Sequence, residues 1–332
     1  MVEVTWFNHI KSTLYNSNIT IPTITMSPKT APTKTFHKTV YPSLDPTRPD
    51  LSADGKTIVI TGGGTGIGAE TAKYFAMAGA ARIAILGRRE EPLLDTKAAI
   101  EASSPNVEVL AIAADMTKNS EVRAAFDQVA TKSKIDVLCS NAAKLGGMGL
   151  IASLSADDFL ESIFANLQGN FNLTKAFLEH AAKDAVIIET NSSAAHLDIA
   201  PGFSAYNVAK MATARFYQCV QFEHPEISVF SFQPGAVETD MNRQAGFKPK
   251  MTGANFDWTV SEEIRSLLGG FDDASLPAGF IVWLASPEAR FLKGKYLWAN
   301  WDVDELKAQA HMIESTNYLR IGLEGWPFKS LE

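Results

Sequence analysis

The sequence predicts a single α/β domain in which helices cover both faces of a doubly wound, parallel β-sheet. Short apolar, β-branched segments alternate with longer helical stretches between residues 57 and 232, an order typical of repeated βαβ units. The strand-like segments are almost continuously apolar, as expected for strands that are buried on both faces of a sheet. A hydrophobic fraction of 46% and a charged fraction of 20% are ordinary for a globular protein.

The predicted elements follow one another in a regular order. The first strand, Thr57–Thr61, ends in a run of glycines, and an alanine-rich helix follows over 66–78. Residues 302–314 predict an amphipathic helix near the C-terminus. We predict the remaining strands at Arg82–Leu86, Val107–Ala113, Ile135–Cys139, Ala185–Glu189 and Ile227–Phe232, and the intervening helices at 90–102, 119–132, 156–182 and 204–222.

The regions outside these units differ in composition. Residues 1–50 hold six of the 15 prolines and show no sustained period, which predicts a partly disordered N-terminal extension. Its later part, around Phe36 and Tyr41, is expected on the domain surface, and Met26 offers an alternative start. The folded domain is then expected over 51–315, with a lid over its binding cleft at about 236–276, and a C-terminal tail over 316–332.

Charge and composition exclude several classes of function. A net charge of −7 disfavours a general nucleic-acid-binding protein, which needs basic residues to meet phosphates. No apolar run is long enough to span a bilayer, so we predict no membrane partner. Two cysteines and six scattered histidines predict neither a metal site nor a disulfide framework, and the scarcity of cysteine is typical of a reducing compartment, here the cytoplasm.

A glycine-rich turn lies between the first strand and the first helix. In Thr61–Gly68, the residues Gly62, Gly66 and Gly68 have a G-x-x-x-G-x-G spacing. Glycines at a strand–turn–helix junction allow a tight turn and let a diphosphate approach backbone N–H groups at the helix N-terminus. The sequence therefore predicts dinucleotide binding, and it lacks the phosphate loop typical of nucleotide triphosphatases.

The end of the second predicted strand bears on the choice of cofactor. NAD-binding folds usually place a carboxylate about 20 residues after the glycines, where it binds the ribose 2′-hydroxyl. Here Gly87, Arg88 and Arg89 occupy that region, and Arg88 can donate to a 2′-phosphate. We therefore predict NADP(H), with NAD(H) less favoured, although two solvated arginines at a helix start would give the same pattern.

Four polar residues form a candidate catalytic set. Tyr206 and Lys210 are four residues apart on a predicted helix, so both side chains point to the same side. A lysine ammonium near a phenol stabilises the phenolate, and the tyrosine can then act as a general acid or base on a carbonyl or alcohol. Ser193 follows the fifth strand, where parallel sheets bind ligands, and Asn166 lies within the preceding helix, where it can bend the backbone and hold a water.

Together these motifs resemble the short-chain dehydrogenase/reductase family, in its single-domain branch with a Tyr/Lys/Ser/Asn tetrad, and this implies a Rossmann-type fold. The resemblance covers roughly residues 51–240 and, less closely, the chain to about residue 300. The matching positions, in the order of the family, are Thr61–Gly68, Asp115, Ser140–Ala143, Asn166, Ser193, Tyr206, Lys210, Pro234, Gly235 and Thr239.

The resemblance implies a role for each residue around a nicotinamide cofactor. Tyr206 would donate or accept the proton, Lys210 would bond the nicotinamide ribose and tune Tyr206, and Ser193 would polarise the carbonyl. Asn166 would hold a water that links Lys210 to solvent. The implied cofactor-binding residues are Gly62, Thr65, Gly66, Ile67, Gly68, Arg88, Asp115, Asn141, Tyr206, Lys210, Pro234, Val237 and Thr239.

Three of these cofactor residues have a more specific implied place. Asp115 would meet the adenine, Asn141 would brace the sheet edge beside the ribose, and Thr239 would approach the carboxamide.

The chain also departs from the family pattern. Ala143 replaces the glycine that ends the family's Asn-Asn-Ala-Gly segment, and Lys295–Asp302 replaces its C-terminal Val-Asp-Gly-Gly turn, which leaves the course of the tail open.

The sequence thus predicts an NADP(H)-dependent carbonyl reductase or alcohol dehydrogenase that acts on a bulky apolar small molecule. Large apolar side chains in the lid, among them Met241, Phe247 and Trp258, suggest a bulky substrate, although ordinary packing or a subunit contact would give the same pattern. A biosynthetic or secondary-metabolic pathway is an analogy within the family. Two alternatives remain open: a non-redox isomerase or cyclase on the same fold, and a regulatory protein that senses NADP. The family implies a homodimer or homotetramer.

Overall fold

The computed structural model describes residues 31–198, 202–239, 241 and 271–323. Within these residues it contains one seven-stranded parallel sheet with the strand order β3-β2-β1-β4-β5-β6-β7. The order reverses between β1 and β4, and in such sheets ligands bind at the carboxyl ends of the strands. The strands are β1 (Thr57–Thr61), β2 (Arg82–Gly87), β3 (Glu108–Ala113), β4 (Ile135–Ser140), β5 (Ala181–Thr190), β6 (Ser228–Gln233) and β7 (Tyr296–Trp298).

Helices cover both faces of this sheet. Ile58 and Ile60 of β1 belong to one hydrophobic core, which includes α1 and α6, whereas Val59 belongs to a second core with α3, α4 and α5. Because side chains alternate along a strand, the sheet lies between the two cores, which confirms the predicted fold class. The helices are α1 (Gly66–Met77), α2 (Glu90–Ser103), α3 (Asn119–Val129), α4 (Ala156–His180), α5 (Ser204–Glu223), α6 (Ser275–Ala285), α7 (Val303–Ala308) and α8 (Ala310–Ser315).

The predicted boundaries differ from the observed ones chiefly where a strand leaves the core. β5 begins at Ala181 rather than at Ala185, because Ala181 already pairs with Ile135 of β4. Its first four residues are partly or fully exposed and therefore lack an apolar pattern. The helix predicted over 302–314 is wrong as a single element. It is two short helices that meet at Gln309, whose side chain donates to the carbonyl of Pro32.

Two elements of the C-terminal region were not predicted. α6 is apolar and buried on every side, so its sequence lacks the amphipathic period by which a surface helix is recognised. β7 has only three residues and pairs with the end of β6. Trp298 at its end and Trp301 three residues later are buried and stack with ring centroids 6.0 Å apart.

The described part of the N-terminal region packs against these C-terminal elements. Phe36 forms an antiparallel bridge with Trp301, and Leu44 is fully buried against α6. A Cβ atom on Gly279 of α6 would lie 2.8 Å from the carbonyl oxygen of Leu44, so the two segments are in close contact. Packing therefore extends to the N-terminal side of residue 51.

Residues 1–30, residues 324–332 and residues 240 and 242–270 of the expected lid lie outside the described residues, so the expectations for them stay predictions. Among the helices that the structure does describe, none combines the length and the apolar character that crossing a membrane requires. The same residues contain no cluster of His, Cys, Asp and Glu side chains able to hold a metal ion.

Candidate active site

A cleft of about 910 Å³ runs along the carboxyl ends of the strands. It extends from the glycine turn after β1 to the first turns of α5. Of the residues predicted to bind a cofactor, those that line the cleft are Gly62, Thr65, Gly66, Ile67, Arg88, Asp115, Asn141, Tyr206, Lys210, Pro234, Val237 and Thr239. The remaining one, Gly68, shapes the turn without lining the cleft.

The turn between β1 and α1 leaves room only for glycine. Gly62 and Gly66 have φ values of +68° and +55°, a region that L side chains rarely adopt. A Cβ atom on Gly68 would lie 2.2 Å from the carbonyl oxygen of Gly62, so no side chain can stand between the turn and the helix. At the start of α1, Thr65 makes no side-chain capping bond within the described chain, which leaves the first N–H groups for a ligand. This cradle fits a diphosphate.

The cleft continues past β2 to a pair of opposite charges. Arg88 lines it and is exposed, and Asp115 lies close enough for the two charges to interact. Partial burial raises the pKa of Asp115, but hydrogen bonds from Thr117 and the charge of Arg88 outweigh that effect and hold the pKa below its ordinary value. Oδ1 of Asp115 accepts from the Thr117 N–H and hydroxyl, at 2.9 and 2.8 Å.

Asn141 joins the central strands beside the glycine turn. Its side-chain amide donates to the carbonyl of Thr61 at 3.1 Å. The Thr61 hydroxyl in turn accepts from the backbone N–H groups of Asn141 and Ala142, at 2.9 and 3.0 Å. These bonds hold the segment after β4 against the end of β1, at the edge of the cleft.

Tyr206 and Lys210 lie together at the other end of the cleft. The Lys210 Nζ is 5.8 Å from the centroid of the Tyr206 ring, as their spacing on α5 requires. Lys210 is 4% exposed, and its ammonium donates to the carbonyl of Thr190 at 2.9 Å, which fixes it against the end of β5. The Tyr206 hydroxyl forms no hydrogen bond with any residue that the structure describes, so it is available to a ligand.

Ser193 is near this pair in the fold but does not line the cleft. It begins the short 3₁₀ helix Ser193–Ala195 after β5 and is buried. Ser192 lines the cleft instead, and its hydroxyl accepts from the N–H of Ala194 at 3.2 Å. The structure thus brings this segment, Ser192–Ala195, here called the serine turn, to the same edge of the sheet as Tyr206 and Lys210, with Ser192 rather than Ser193 at the cleft surface.

Asn166 lies in α4 behind the cleft wall and is buried. Its Oδ1 accepts from the N–H of Lys144 at 3.0 Å, and its Nδ2 lies 2.7 Å from the carbonyls of both Lys144 and Ser162. The side chain therefore fixes the loop after β4, a contact that its position in the sequence did not reveal. The water-holding role stays a prediction.

Comparison with known proteins agrees with this arrangement. The family model described as short chain dehydrogenase matches residues 56–249. A short chain dehydrogenase/reductase of Claviceps purpurea (strain 20.1) is 36% identical over 297 residues, which cover 88% of this chain and 94% of that protein. The short chain dehydrogenase/reductase AacuD of Aspergillus aculeatus is 33% identical over 295 residues, which cover 88% of this chain and 96% of that protein.

A solved structure shows a similar fold. The short chain dehydrogenase from Burkholderia cenocepacia J2315, solved in complex with NADP, has a TM-score of 0.65 and 27% sequence identity. The similarity covers 76% of this chain and 99% of that chain. The glycine turn, the Tyr206–Lys210 pair and these matches lead to one conclusion: the chain belongs to the short-chain dehydrogenase/reductase family of oxidoreductases.

Proposed function

We propose that this oxidoreductase is an NADP(H)-dependent carbonyl reductase or alcohol dehydrogenase for a bulky apolar small molecule, in a biosynthetic or secondary-metabolic pathway. The observation that carries the proposal is the Tyr206 phenol, which lines the same cleft as the glycine turn, lies beside the buried Lys210 and has no hydrogen-bond partner among the residues that the structure describes. A phenol held in this way can exchange a proton with a carbonyl or alcohol oxygen. Most of the expected lid, which suggests a bulky substrate, lies outside the described residues, but Val237, Thr239 and Met241 from its beginning line the cleft.

We propose NADP(H) rather than NAD(H) as the cofactor because of the residues that form the cleft wall after β2. Arg88 lines that wall, and the β2 end contributes no carboxylate to repel a 2′-phosphate. Asp115, an acidic side chain that interacts with Arg88, follows β3 rather than β2 and has one oxygen bonded to Thr117. The Burkholderia cenocepacia protein, whose structure was solved with NADP, supports the same choice by similarity.

We assign cofactor binding, proton transfer and orientation of the substrate to different residues of the chain. The nicotinamide cofactor supplies or accepts the hydride when it is bound. The glycine turn and the start of α1 would hold its diphosphate, and Arg88 its 2′-phosphate. Tyr206 gives its proton to the carbonyl oxygen in reduction and takes it back in oxidation, while the ammonium of Lys210 stabilises the phenolate. Ser193 is proposed to orient the oxygen of the substrate.

Replacement of Tyr206 by phenylalanine tests the proposal. Tyr206→Phe should lower kcat for ketone reduction by about 1,000-fold, because proton transfer from a positioned group contributes this much. NADPH affinity, measured by fluorescence titration, should stay close to that of the wild type. Loss of NADPH absorbance with a panel of bulky ketones and quinones measures the rate.

A matched control is available in an exposed tyrosine outside the cleft. Tyr318→Phe removes the same hydroxyl group from a residue in the C-terminal segment and should change neither kcat nor NADPH affinity. Substantial turnover by Tyr206→Phe would overturn the role of the phenol. A wild-type protein that consumes no NADPH with any carbonyl of the panel would overturn the proposed function.

The assembly and the location belong to the same proposal. A homodimer or homotetramer is supported by apolar side chains exposed on α4 and α5, where Phe171 is 54% and Phe222 is 85% exposed. A cytoplasmic location is supported by the presence of only two cysteines, of which Cys139 is buried in β4. Light scattering of the purified protein tests the assembly.

A further inference from the structure

A row of polar side chains crosses the buried part of the sheet beneath Tyr206 and Lys210. Glu189 of β5 pairs in register with Ser231 of β6, and Ser231 pairs with Tyr296 of β7. Glu189 is 1% exposed, and its strand is otherwise apolar from Ala185 to Ile188. A buried carboxylate costs several kcal/mol unless hydrogen bonds and an opposite charge compensate it. Its position here therefore calls for a physical reason.

The Glu189 carboxylate is held by groups that also contact the Lys210 turn of α5. The side-chain amide of Asn191 lies 2.6 and 2.8 Å from the two carboxylate oxygens, and the Thr213 hydroxyl lies 3.0 Å from one of them. The same Asn191 nitrogen and the same Thr213 hydroxyl are each 3.1 Å from the backbone carbonyl of Lys210. Glu189 thus joins the end of β5 to the helical turn that carries Lys210.

The same cluster holds the serine turn on its other side. Oδ1 of Asn191 accepts from the N–H of Ser192 at 2.8 Å. The Tyr296 hydroxyl donates to the carbonyl of Ser192 at 2.5 Å and lies 3.3 Å from Oδ1 of Asn191. The backbone on both sides of Ser192 is therefore fixed by side chains that meet at Asn191 and Glu189.

The charges around Glu189 are few. α5 presents Lys210, Tyr206 and Tyr217, β7 presents Tyr296, and the neighbouring β4 and α4 present uncharged Ser140 and Asn170. Burial raises the pKa values of Tyr217 and Tyr296 well above the ordinary phenol value, so both stay neutral. Burial also raises the pKa of Glu189, while the charge of Lys210 opposes that rise. Among the named groups, Lys210 is the one cation that faces the carboxylate.

We propose that Glu189 is a positioning residue, whose carboxylate ties the serine turn to the Lys210 turn of α5 and offsets part of the Lys210 charge that acts on the Tyr206 phenol. The inference rests on the proposed dehydrogenase function. It explains why a carboxylate occupies an apolar strand: the residue acts through Lys210 and the serine turn and does not itself reach the cleft.

Glu189→Gln tests the electrostatic part, since the amide keeps the shape of the side chain and removes its charge. Without the negative charge, the phenolate of Tyr206 forms more easily. The rising limb of the pH profile of kcat for alcohol oxidation should therefore move to lower pH, by roughly one unit for the loss of one nearby charge. Glu189→Asp keeps the charge and should keep the wild-type profile even if it lowers Tm.

Tyr217→Phe is the matched control for a purely structural effect. Tyr217 is fully buried on α5 and donates to Asn170 at 2.8 Å, with no hydrogen bond to Glu189. Its replacement should lower Tm and leave the pH profile in place. A Glu189→Gln variant that behaves in this way, with a lower Tm and an unmoved profile, would overturn the inference.

A measurement without cofactor or substrate gives an independent readout. Because the pKa of folded Glu189 is raised above its ordinary 4.5, the wild type loses stability as pH rises from that value toward the folded pKa. Glu189→Gln lacks this loss, so its Tm relative to the wild type should increase over the same range. A Tm difference that does not vary with pH would show that folding leaves the pKa of Glu189 unchanged, which would contradict the buried and only partly compensated charge inferred here.

The two proposals can fail separately. If the wild type reduces carbonyls with NADPH but Glu189→Gln shows neither the profile shift nor the pH-dependent Tm difference, only the role of Glu189 is overturned. If the wild type turns over no carbonyl or alcohol of the panel, the proposed function is overturned and the role of Glu189 with it.

Discussion

The two ends of the cleft are built by different means. At the end formed by β1 and α1, the surface is backbone: Thr61–Gly68 presents N–H groups, and added Cβ atoms would collide with the turn itself. At the end formed by β5 and α5, the surface is made of the side chains of Tyr206 and Lys210. Buried hydrogen bonds centred on Glu189 hold the backbone of the helical turn that carries Lys210.

This difference predicts which step each end controls. The backbone end is fixed by eight consecutive residues and acts by shape, so damage to it should reduce the affinity for the cofactor. The side-chain end depends on contacts between distant segments, such as Tyr296 and Asn191, which are 105 positions apart. Damage there should reduce the rate of proton transfer while the cofactor still binds.

The largest effect on binding is expected from Gly68→Ala. The new Cβ would lie 2.2 Å from the carbonyl oxygen of Gly62 and 2.8 Å from the side-chain amide of Asn141, so the turn has to open. We expect NADPH affinity, measured by fluorescence titration, to fall at least about 100-fold, which corresponds to roughly 3 kcal/mol. Circular dichroism should show that the fold is retained.

Gly322→Ala provides the matched control for this prediction. A Cβ at Gly322 meets nothing within 4 Å, so the same substitution should leave NADPH affinity unchanged. If Gly68→Ala binds NADPH as well as the wild type does, the backbone turn is not the cofactor site, and the distinction between the two ends of the cleft fails.

Much of the fold could be predicted because its elements carry local patterns. β1, the glycine turn and α1 follow directly in the sequence, and each has a recognisable composition. α6 could not be found in this way, because a helix that is buried all round has no polar face to set a period. β7 is too short to be recognised alone and exists through its pairing with β6.

In the active site, too, only contacts within one local sequence pattern could be predicted. Tyr206 and Lys210 could be paired because four residues along a helix bring two side chains to one side. Glu189 was missed because an acidic residue at the end of an apolar run indicates the end of a strand. Its burial depends on Ser231 and Tyr296, which belong to other strands, and one of those strands was not predicted. The contact between Asn166 and Lys144 likewise depends on a loop whose path the sequence does not define.

Replacement of a serine in the serine turn is expected to have a smaller effect, on kcat rather than on cofactor affinity. Ser193→Ala should lower kcat about 100-fold, as loss of one donor to the reacting oxygen does. Ser192→Ala should lower kcat less than about 10-fold, because its hydroxyl already accepts from the N–H of Ala194 and its loss removes mainly that cap, worth about 1 kcal/mol. Steady-state reduction of the best ketone measures both variants.

The opposite order of the two serine variants would contradict the assignment. Ser192 is the serine that lines the cleft, whereas the resemblance to the family implies Ser193. A large loss for Ser192→Ala alone would transfer the role to Ser192. NADPH affinity should remain that of the wild type in both variants, because this end of the cleft controls the rate.

The smallest effect is expected from Arg88→Ala, and it tests the one side chain on which cofactor choice depends at the backbone end. A charge-assisted contact to a phosphate contributes about 1.5–3 kcal/mol, so KM for NADPH should rise about 10-fold or more while KM for NADH changes little. Arg123→Ala, an exposed arginine of α3 paired with Glu179, should affect neither. Equal increases for both cofactors would mean that Arg88 contributes only general positive charge, and recognition at this end would then be a property of the backbone alone.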